Sequence, residues 1–434
     1  MFDVLLCLSS MRAVLINTGT ELLLGDVHDA HLAFIAREIF PLGLRIEERR
    51  TVPDTDAIRR TLAELFPRCE ILFVTGGLGP TSDDITREMV ADALGLQLRG
   101  DPQLLTSLQQ RVQTYGIKWT PGIARQAEVP AGAQVLPNET GSAPGFYLKA
   151  NINPRISSPH LFVLPGPPRE LQPMFRMFAL PILRSIVQMS GLIERQLYSI
   201  TGMGESVVEA AIGNKVLAIP GIELGYCARP GEVEVRIIGD AEAIEQADAI
   251  IRSALGYSIF SIADETLEEV VVKLLAKHNQ TLATAESCTG GLIANRITNV
   301  PGASVVFIAG YVCYANRAKG DMLNIDPALI ETHGAVSEQV ARALTEHARA
   351  CATSDYALAT TGIAGPTGGS PEKPVGTLYV GLAASGSDTI VKRFFFPTDR
   401  ETFKHLAAQA ALDLLRRKML NSAAGHSERR RGAP

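Results

Sequence analysis

The stretch "TAESCTGG" (284–291) places a serine, a cysteine, a threonine and two glycines between the apolar run Thr281-Leu282-Ala283 and a helical-looking segment from Leu292 onward. A serine on a tight turn at the carboxyl end of a strand faces the crevice where open α/β sheets bind ligands. Amides at Gly290 and Gly291, where the helix starts, can stabilise a developing oxyanion. Serine alone is a weak nucleophile and needs a proton acceptor within reach. No histidine lies nearby in sequence, but "YANRAK" (314–319) ends another strand-like run. A lysine serves as base if burial and cationic neighbours depress its pKa, and a tyrosine can relay or position the proton. Ser287, Lys319 and Tyr314 would then form a Ser-Lys-Tyr centre. The competing reading makes Ser287 a helix cap, Tyr314 a half-buried strand residue and Lys319 a solvated charge. Cys288 is a rival nucleophile; without a histidine partner it reads as a buried small hydrophobe.

A second strand-to-helix junction, "VTGGLGPTSDDIT" (74–86), combines glycines with an acidic pair. It lacks the lysine of a P-loop and is not a G-x-G-x-x-G after a first strand. Backbone amides of Gly76, Gly77 and Gly79 could line an anion site, with Asp83 and Asp84 holding a divalent cation opposite a diphosphate. Alternatively, Ser82 or Asp83 caps the following helix.

Both loops need a sheet to hold them. From "RAVLINTG" to "ILFVTGG" strand-like and helix-like segments alternate, which implies βαβ units and a largely parallel sheet. "GFYLK" and "LFVLPG" add two strands after a polar loop, and "PPRELQPMFRMFALPIL" reads as a helix leaving the domain. Between Arg195 and Gly256 the pattern changes, and Pro230-Gly231 between two alternating runs marks a hairpin in a small α+β module. The α/β alternation then resumes to a closing helix, "ETFKHLAAQAALDLLRRKML". The predicted fold class is α/β: two three-layer α/β domains, 11–190 and 258–420, joined by a small α+β module, 191–257. "NSAAGHSERRRGAP" (421–434) reads as a frayed polar tail.

In the 434 residues, hydrophobic side chains at 46% and charged ones at 20% are the proportions of a globular protein rather than a disordered chain. A net charge of -5 disfavours a general nucleic-acid binder, which needs a clustered basic surface. The cysteines, at 7, 69, 227, 288, 313 and 351, show no zinc-site spacing and read as reduced, cytoplasmic thiols. No apolar run is long enough to cross a bilayer, and "MFDVLLCLSS" lacks the basic start of a signal peptide.

"TAESCTGG", "GYVCYANRAK", "HGAVSEQVA" and "TTGIAGPTGGSPEKPVGTLYVG" closely resemble, in order and spacing, the carboxy-terminal domain of the CinA family, whose members include nicotinamide-mononucleotide (NMN) deamidases. The resemblance implies catalytic roles for Ser287, Tyr314 and Lys319 and an acyl-enzyme route from NMN to nicotinic acid mononucleotide and ammonia, without a cofactor. Thr289, Gly290 and Gly291, and the loop containing Thr361, Gly362 and Gly365, would contact the nucleotide, and Arg400 would take its phosphate. Those glycines equally suit tight turns, and Arg400 equally suits a solvated helix start. "NTGTELLLGD", the 74–86 loop and "LPGPPREL" look like the family's molybdopterin-binding amino-terminal domain, which in some members hydrolyses ADP-ribose with a divalent metal. That resemblance implies Mg²⁺ or another divalent cation at Asp83 and Asp84, with Glu21 as a third acid, and small nucleotides rather than nucleic acid or membrane as partners. The middle module resembles the family's KH-like linker; its "TGMGE" (201–205) is not a GXXG clamp with a basic surface, and reads as a spacer or homodimer element.

Overall fold

The computed structural model describes residues 11–187 and 193–431, with side chains to 421. The opening segment and the predicted boundary at 190/191 lie outside the described residues. The chain divides after Glu194 into two compact units.

The first unit holds strands β1 (Ala13–Thr18), β2 (Ile46–Val52), β3 (Ile71–Thr75), β4 (Leu98–Gly100), β5 (Glu128–Pro130), β6 (Gln134–Leu136), β7 (Gly145–Leu148) and β8 (His160–Leu164). Six form one sheet in the order β2-β1-β3-β8-β7-β6, while β4 and β5 pair separately. β2, β1, β3 and β8 run parallel, and β7 and β6 add antiparallel edges. β1 is buried at every position because both its faces are covered. Ala13 and Leu15 enter one core with Phe73 and Phe162; Val14 and Ile16 enter the other with Leu72 and Val163. This alternation divides the domain into three layers. The segment 167–183, predicted to leave the domain as a helix, instead packs along it, burying Leu171, Met174, Phe175 and Leu183 in the first core. The polar loop before β7 contains a helix, Pro102–Tyr115, started by Asp101, whose carboxylate accepts from the amides of Gln103 and Leu104.

The second unit begins with β9 (Glu194–Thr201), β10 (Glu223–Arg229), β11 (Glu232–Gly239) and β12 (Ile259–Ser261), in the sheet order β10-β11-β9-β12. The Pro230-Gly231 hairpin forms as predicted, with Arg229 opposite Glu232. Next comes a sheet of β13 (Leu282–Glu286), β14 (Phe307–Val312), β15 (Tyr356–Gly362), β16 (Thr377–Ala384) and β17 (Ser387–Phe395), ordered β14-β13-β15-β16-β17. β14, β13 and β15 are parallel; β16 and β17 follow antiparallel. Leu282 packs with Ile293, Phe403 and Leu415 on one face, and Ala283 and Ala285 with Val340, Leu344 and Ala348 on the other, giving three layers again. The closing helix runs Arg400–Arg431, past the predicted start of the tail. No proline interrupts 421–431, so the hydrogen-bond ladder nucleated by the buried turns continues to Arg431.

Candidate active site

Ser287 follows directly after β13, at the carboxyl ends of the parallel strands, and its amide donates to the Thr360 carbonyl of β15 (3.0 Å). The helix that follows, Leu292–Thr298, has Gly291 at its N-cap, and the serine hydroxyl does not cap it. Glu286 does that work. Its carboxylate, 1% exposed, accepts from the amides of Gly291 (3.0 Å), Ile293 (3.0 Å) and Ala294 (2.8 Å). The Ser287 side chain is thereby left available. Gly290 and Gly291 have φ of +61° and +92°, the left-handed turn that lets a strand reverse into a helix so abruptly.

Lys319 lies on the helix Asn316–Leu323, just beyond β14. It is not a solvated charge: it is 1% exposed, and its Nζ stands 3.4 Å from Ser287 Oγ. The amine also donates to the carbonyls of Cys313 (3.0 Å) and Tyr314 (3.3 Å). Burial pushes its pKa below the ordinary lysine value; the thiols of Cys313 and Cys288 pull weakly the other way. Desolvating an ammonium costs several kcal/mol unless a carboxylate pairs with it, and thiols do not supply that compensation. The amine therefore has access to its neutral form. Cys288 is buried, and burial pushes its thiol up to about 12, so it is no thiolate nucleophile.

Tyr314 is 57% exposed, beyond the strand rather than half-buried in it. It reaches Lys319 through its carbonyl, while its hydroxyl accepts from Arg400. The phenol, expected to relay or position a proton, is in contact with the guanidinium. Arg400 also donates to the Gly365 carbonyl (2.8 Å), so the first residue of the last helix is tied to both loops.

Other predicted contacts turn inward. The Thr289 and Thr360 hydroxyls pair with each other (2.8 Å), and the Thr361 hydroxyl donates to the Ala335 carbonyl (2.7 Å). Buried hydroxyls need partners, and these two found theirs within the protein rather than facing a ligand. The Gly290 amide donates to the Ser287 carbonyl and the Gly291 amide to Glu286, so neither is free for an oxyanion. A β-carbon at Gly362 would lie 2.8 Å from the Thr377 carbonyl, so this glycine serves packing. Sequence reasoning missed Glu286, although a carboxylate just before a helix start is a recognisable cap signal. It also missed Lys404, one turn beyond Arg400, whose ammonium lies 3.8 Å from where a Gly290 β-carbon would stand.

In the first unit, Gly77, Gly79, Glu21, Asp83 and Asp84 line a cavity of about 480 Å³ at the carboxyl ends of β1 and β3. Gly76 lines it too, but its amide is used on the Leu164 carbonyl (3.0 Å). A β-carbon at Gly76 would sit 2.5 Å from the Thr18 carbonyl, which explains the glycine. Neither Ser82 nor Asp83 caps the next helix, whose N-cap, Ile85, makes no side-chain bond. Asp84 turns back to accept from the Thr81 amide (2.9 Å) and hydroxyl. Among the described residues no group of three or more His, Cys, Asp or Glu converges closely enough to cage a metal. The wall nevertheless holds further acids that sequence reasoning did not single out, Asp29, Asp54 and Glu170, and no lysine or arginine. Burial raises the Asp54 pKa above the ordinary carboxyl value; the Thr20 amide opposes this, and Glu21, Asp83 and Asp84 add to it. Gln126 is fully buried, and its Oε1 has no partner.

Three family descriptions match in order: "Probable molybdopterin binding domain" over 14–185, "Damage-inducible protein CinA KH domain" over 195–260 and "CinA C-terminal domain" over 264–419. A CinA-like protein of Akkermansia muciniphila is 40% identical over 405 residues, covering 93% of this chain and 97% of that protein. A CinA-like protein of Geobacter sp. (strain M21) is 40% identical over 414 residues, covering 94% and 98%. The crystal structure of competence/damage inducible protein CihA from Agrobacterium tumefaciens is 36% identical, covers 34% of this chain and 91% of that chain, and has a TM-score of 0.34. Among the described residues no helix is long and apolar enough to cross a membrane.

Proposed function

The chain belongs to the CinA family, and from that premise we propose that its carboxy-terminal domain is an amidohydrolase converting NMN to nicotinic acid mononucleotide and ammonia. The observation that carries this reading is the buried Lys319 amine 3.4 Å from Ser287 Oγ. Ser287 Oγ attacks the carboxamide carbon while neutral Lys319 takes its proton. The protonated lysine then gives that proton to the departing nitrogen; the C–N bond breaks, and ammonia leaves an acyl-serine. Water attacks the ester, Lys319 accepts a proton from it, and the acid departs as Ser287 recovers its hydrogen. Arg400, which is held by Tyr314 and Gly365, would receive the phosphate, with Lys404 on the same helix adding charge. Ser287→Ala should abolish ammonia release from NMN without unfolding the chain; retained turnover would remove the serine mechanism.

A second activity, ADP-ribose pyrophosphatase, is favoured in the amino-terminal domain by one observation: the cavity at Asp83 is walled by carboxylates without a single lysine or arginine. Asp29 is offset by Arg49 (3.2 Å), but the cluster of Glu21, Asp54, Asp83 and Asp84 repels a diphosphate unless cations intervene. Mg²⁺ is content with one or two carboxylates plus substrate oxygens, so a cavity with no convergent cage still fits it. Asp83 and Asp84 would hold the ion, with Glu21 and Asp54 alongside. Once bound, it would neutralise the diphosphate and the leaving group. Gly77 and Gly79 leave room for the Thr86 hydroxyl and the Asp84 carboxylate, and the unpartnered Gln126 Oε1 offers an acceptor to a base amine or ribose hydroxyl. The alternative for this domain is nucleotide binding without cleavage. Incubation with ADP-ribose and Mg²⁺ separates the two, since only cleavage releases AMP.

A further inference from the structure

The glycine loop "TGMGE" (201–205) plays no part in either reaction, yet it borders a cavity of about 600 Å³ within the second unit. The opposite wall is one stripe of the closing helix: Leu406, Gln409, Ala410, Asp413, Leu414 and Arg417. We propose that this cavity is a separate ligand site, built for a phosphomonoester carried on a planar ring, about the size of a nucleoside monophosphate.

Several independent features point to an anionic group at one end. The loop leads into the helix Glu205–Leu217, whose N-cap, Gly204, contributes no side chain to the first amides. Unsatisfied amides at a helix start bind phosphate. Gly202 has φ +77°, and a β-carbon there would lie 3.3 Å from an Arg417 nitrogen, so the loop backbone runs against a guanidinium. Arg229 and Lys392 supply further positive charge at the rim. Of the acids present, Asp413 is neutralised by Arg416 and Arg417, both at 2.6 Å. Glu232 has its pKa raised by burial, and Glu205 is exposed.

Gln409 supplies the observation that asks for a ligand. It is 4% exposed, its Oε1 accepts from Arg296 (2.8 Å), and its Nε2 has no hydrogen-bond partner. A buried amide donor without an acceptor is costly, and a ligand oxygen would satisfy it. Phe394 and Phe396, their rings stacked with centroids 5.8 Å apart, offer the apolar wall a planar ring prefers. The Arg296 that holds Gln409 sits on Leu292–Thr298, the helix that leaves the serine loop, so an occupant would lie one hydrogen bond away from that helix.

The test is a calorimetric titration of AMP into the full chain carrying Ser287→Ala, with nicotinamide riboside saturating and no divalent cation. Nicotinamide riboside, which carries no phosphate, fills the serine centre without turning over, and the amino-terminal cavity lacks the cation it would need for phosphate. One equivalent of AMP should bind, and the double variant Arg229→Ala/Lys392→Ala, which alters two exposed side chains outside both reaction centres, should weaken binding at least tenfold (an order-of-magnitude expectation for two lost charge contacts). Absence of AMP binding overturns the proposal. So does unchanged affinity in the double variant, which would place AMP elsewhere.

Discussion

The guanidinium of Arg400 donates to the hydroxyl of Tyr314, joining the first turn of the closing helix to the loop that precedes the Lys319 helix. The contact ties the exposed phenol to a guanidinium. It orients a cation beside the site, and Arg400 bonds the Gly365 carbonyl as well. If that cation receives the substrate phosphate, Arg400→Ala should cost about 2 kcal/mol, a KM rise of roughly 30-fold, for NMN. Nicotinamide riboside, which has no phosphate, should be almost unaffected. Equal losses for both substrates in steady-state assays would show that Arg400 supports the loop instead. Tyr314→Phe should give a smaller KM effect in the same direction.

The pH dependence follows from Lys319. Burial lowers the folded pKa from 10.5, so between the two values the unfolded chain binds more protons than the folded one. In that window both stability and the fraction of neutral amine rise with pH. kcat/KM for NMN should therefore climb with pH and level off below 10.5. Lys319→Met should reduce turnover about 10³-fold and abolish the rising limb. A limb unchanged in that variant would assign it to another group.

Glu286 gives a prediction about folding. Its buried carboxylate accepts three backbone amides, and charge-assisted bonds of this kind are worth about 1.5–3 kcal/mol each before desolvation is counted. Glu286→Ala leaves those amides without acceptors and should lower stability by about 3 kcal/mol, read as a fall in denaturant midpoint at unchanged slope. NMN turnover should fall with it because the serine turn loosens. Glu286→Gln keeps one acceptor oxygen and should fall between the alanine variant and the parent.

The two reactions should separate cleanly by metal. Removing divalent cations with a chelator should stop AMP release from ADP-ribose while ammonia release from NMN continues at its original rate. Asp83→Asn/Asp84→Asn should reproduce the first effect alone. Ammonia release that also stops on chelation would contradict a metal-free serine mechanism.

Much of the architecture was legible along the chain. The alternation of strand-like and helix-like segments announced βαβ units and a largely parallel sheet, and Pro230-Gly231 announced its hairpin, because these signals are local. The closing helix was visible too, but not its length: the stop rested on polar composition, which does not itself break a helix. The segment 167–183 misled for a related reason. Its apolar stripe at Leu171, Met174, Phe175, Ala179 and Leu183 announces a covered helix, but periodicity alone does not tell which neighbour covers it.

The serine, the lysine and the two glycine loops could be named from residue types and local spacing, since a nucleophile on a strand-to-helix turn is a short-range pattern. The partnership itself was decided in three dimensions. Ser287 and Lys319 stand on different elements and approach only because β13 and β14 are parallel neighbours whose carboxyl ends lie side by side. The same assembly buried the lysine, turned the Tyr314 phenol toward Arg400, and consumed the Thr289 and Thr361 hydroxyls inside the protein. Residue type sets what a group can do chemically; burial and the nearest partner, which arise only when distant segments pack, set whether it does so.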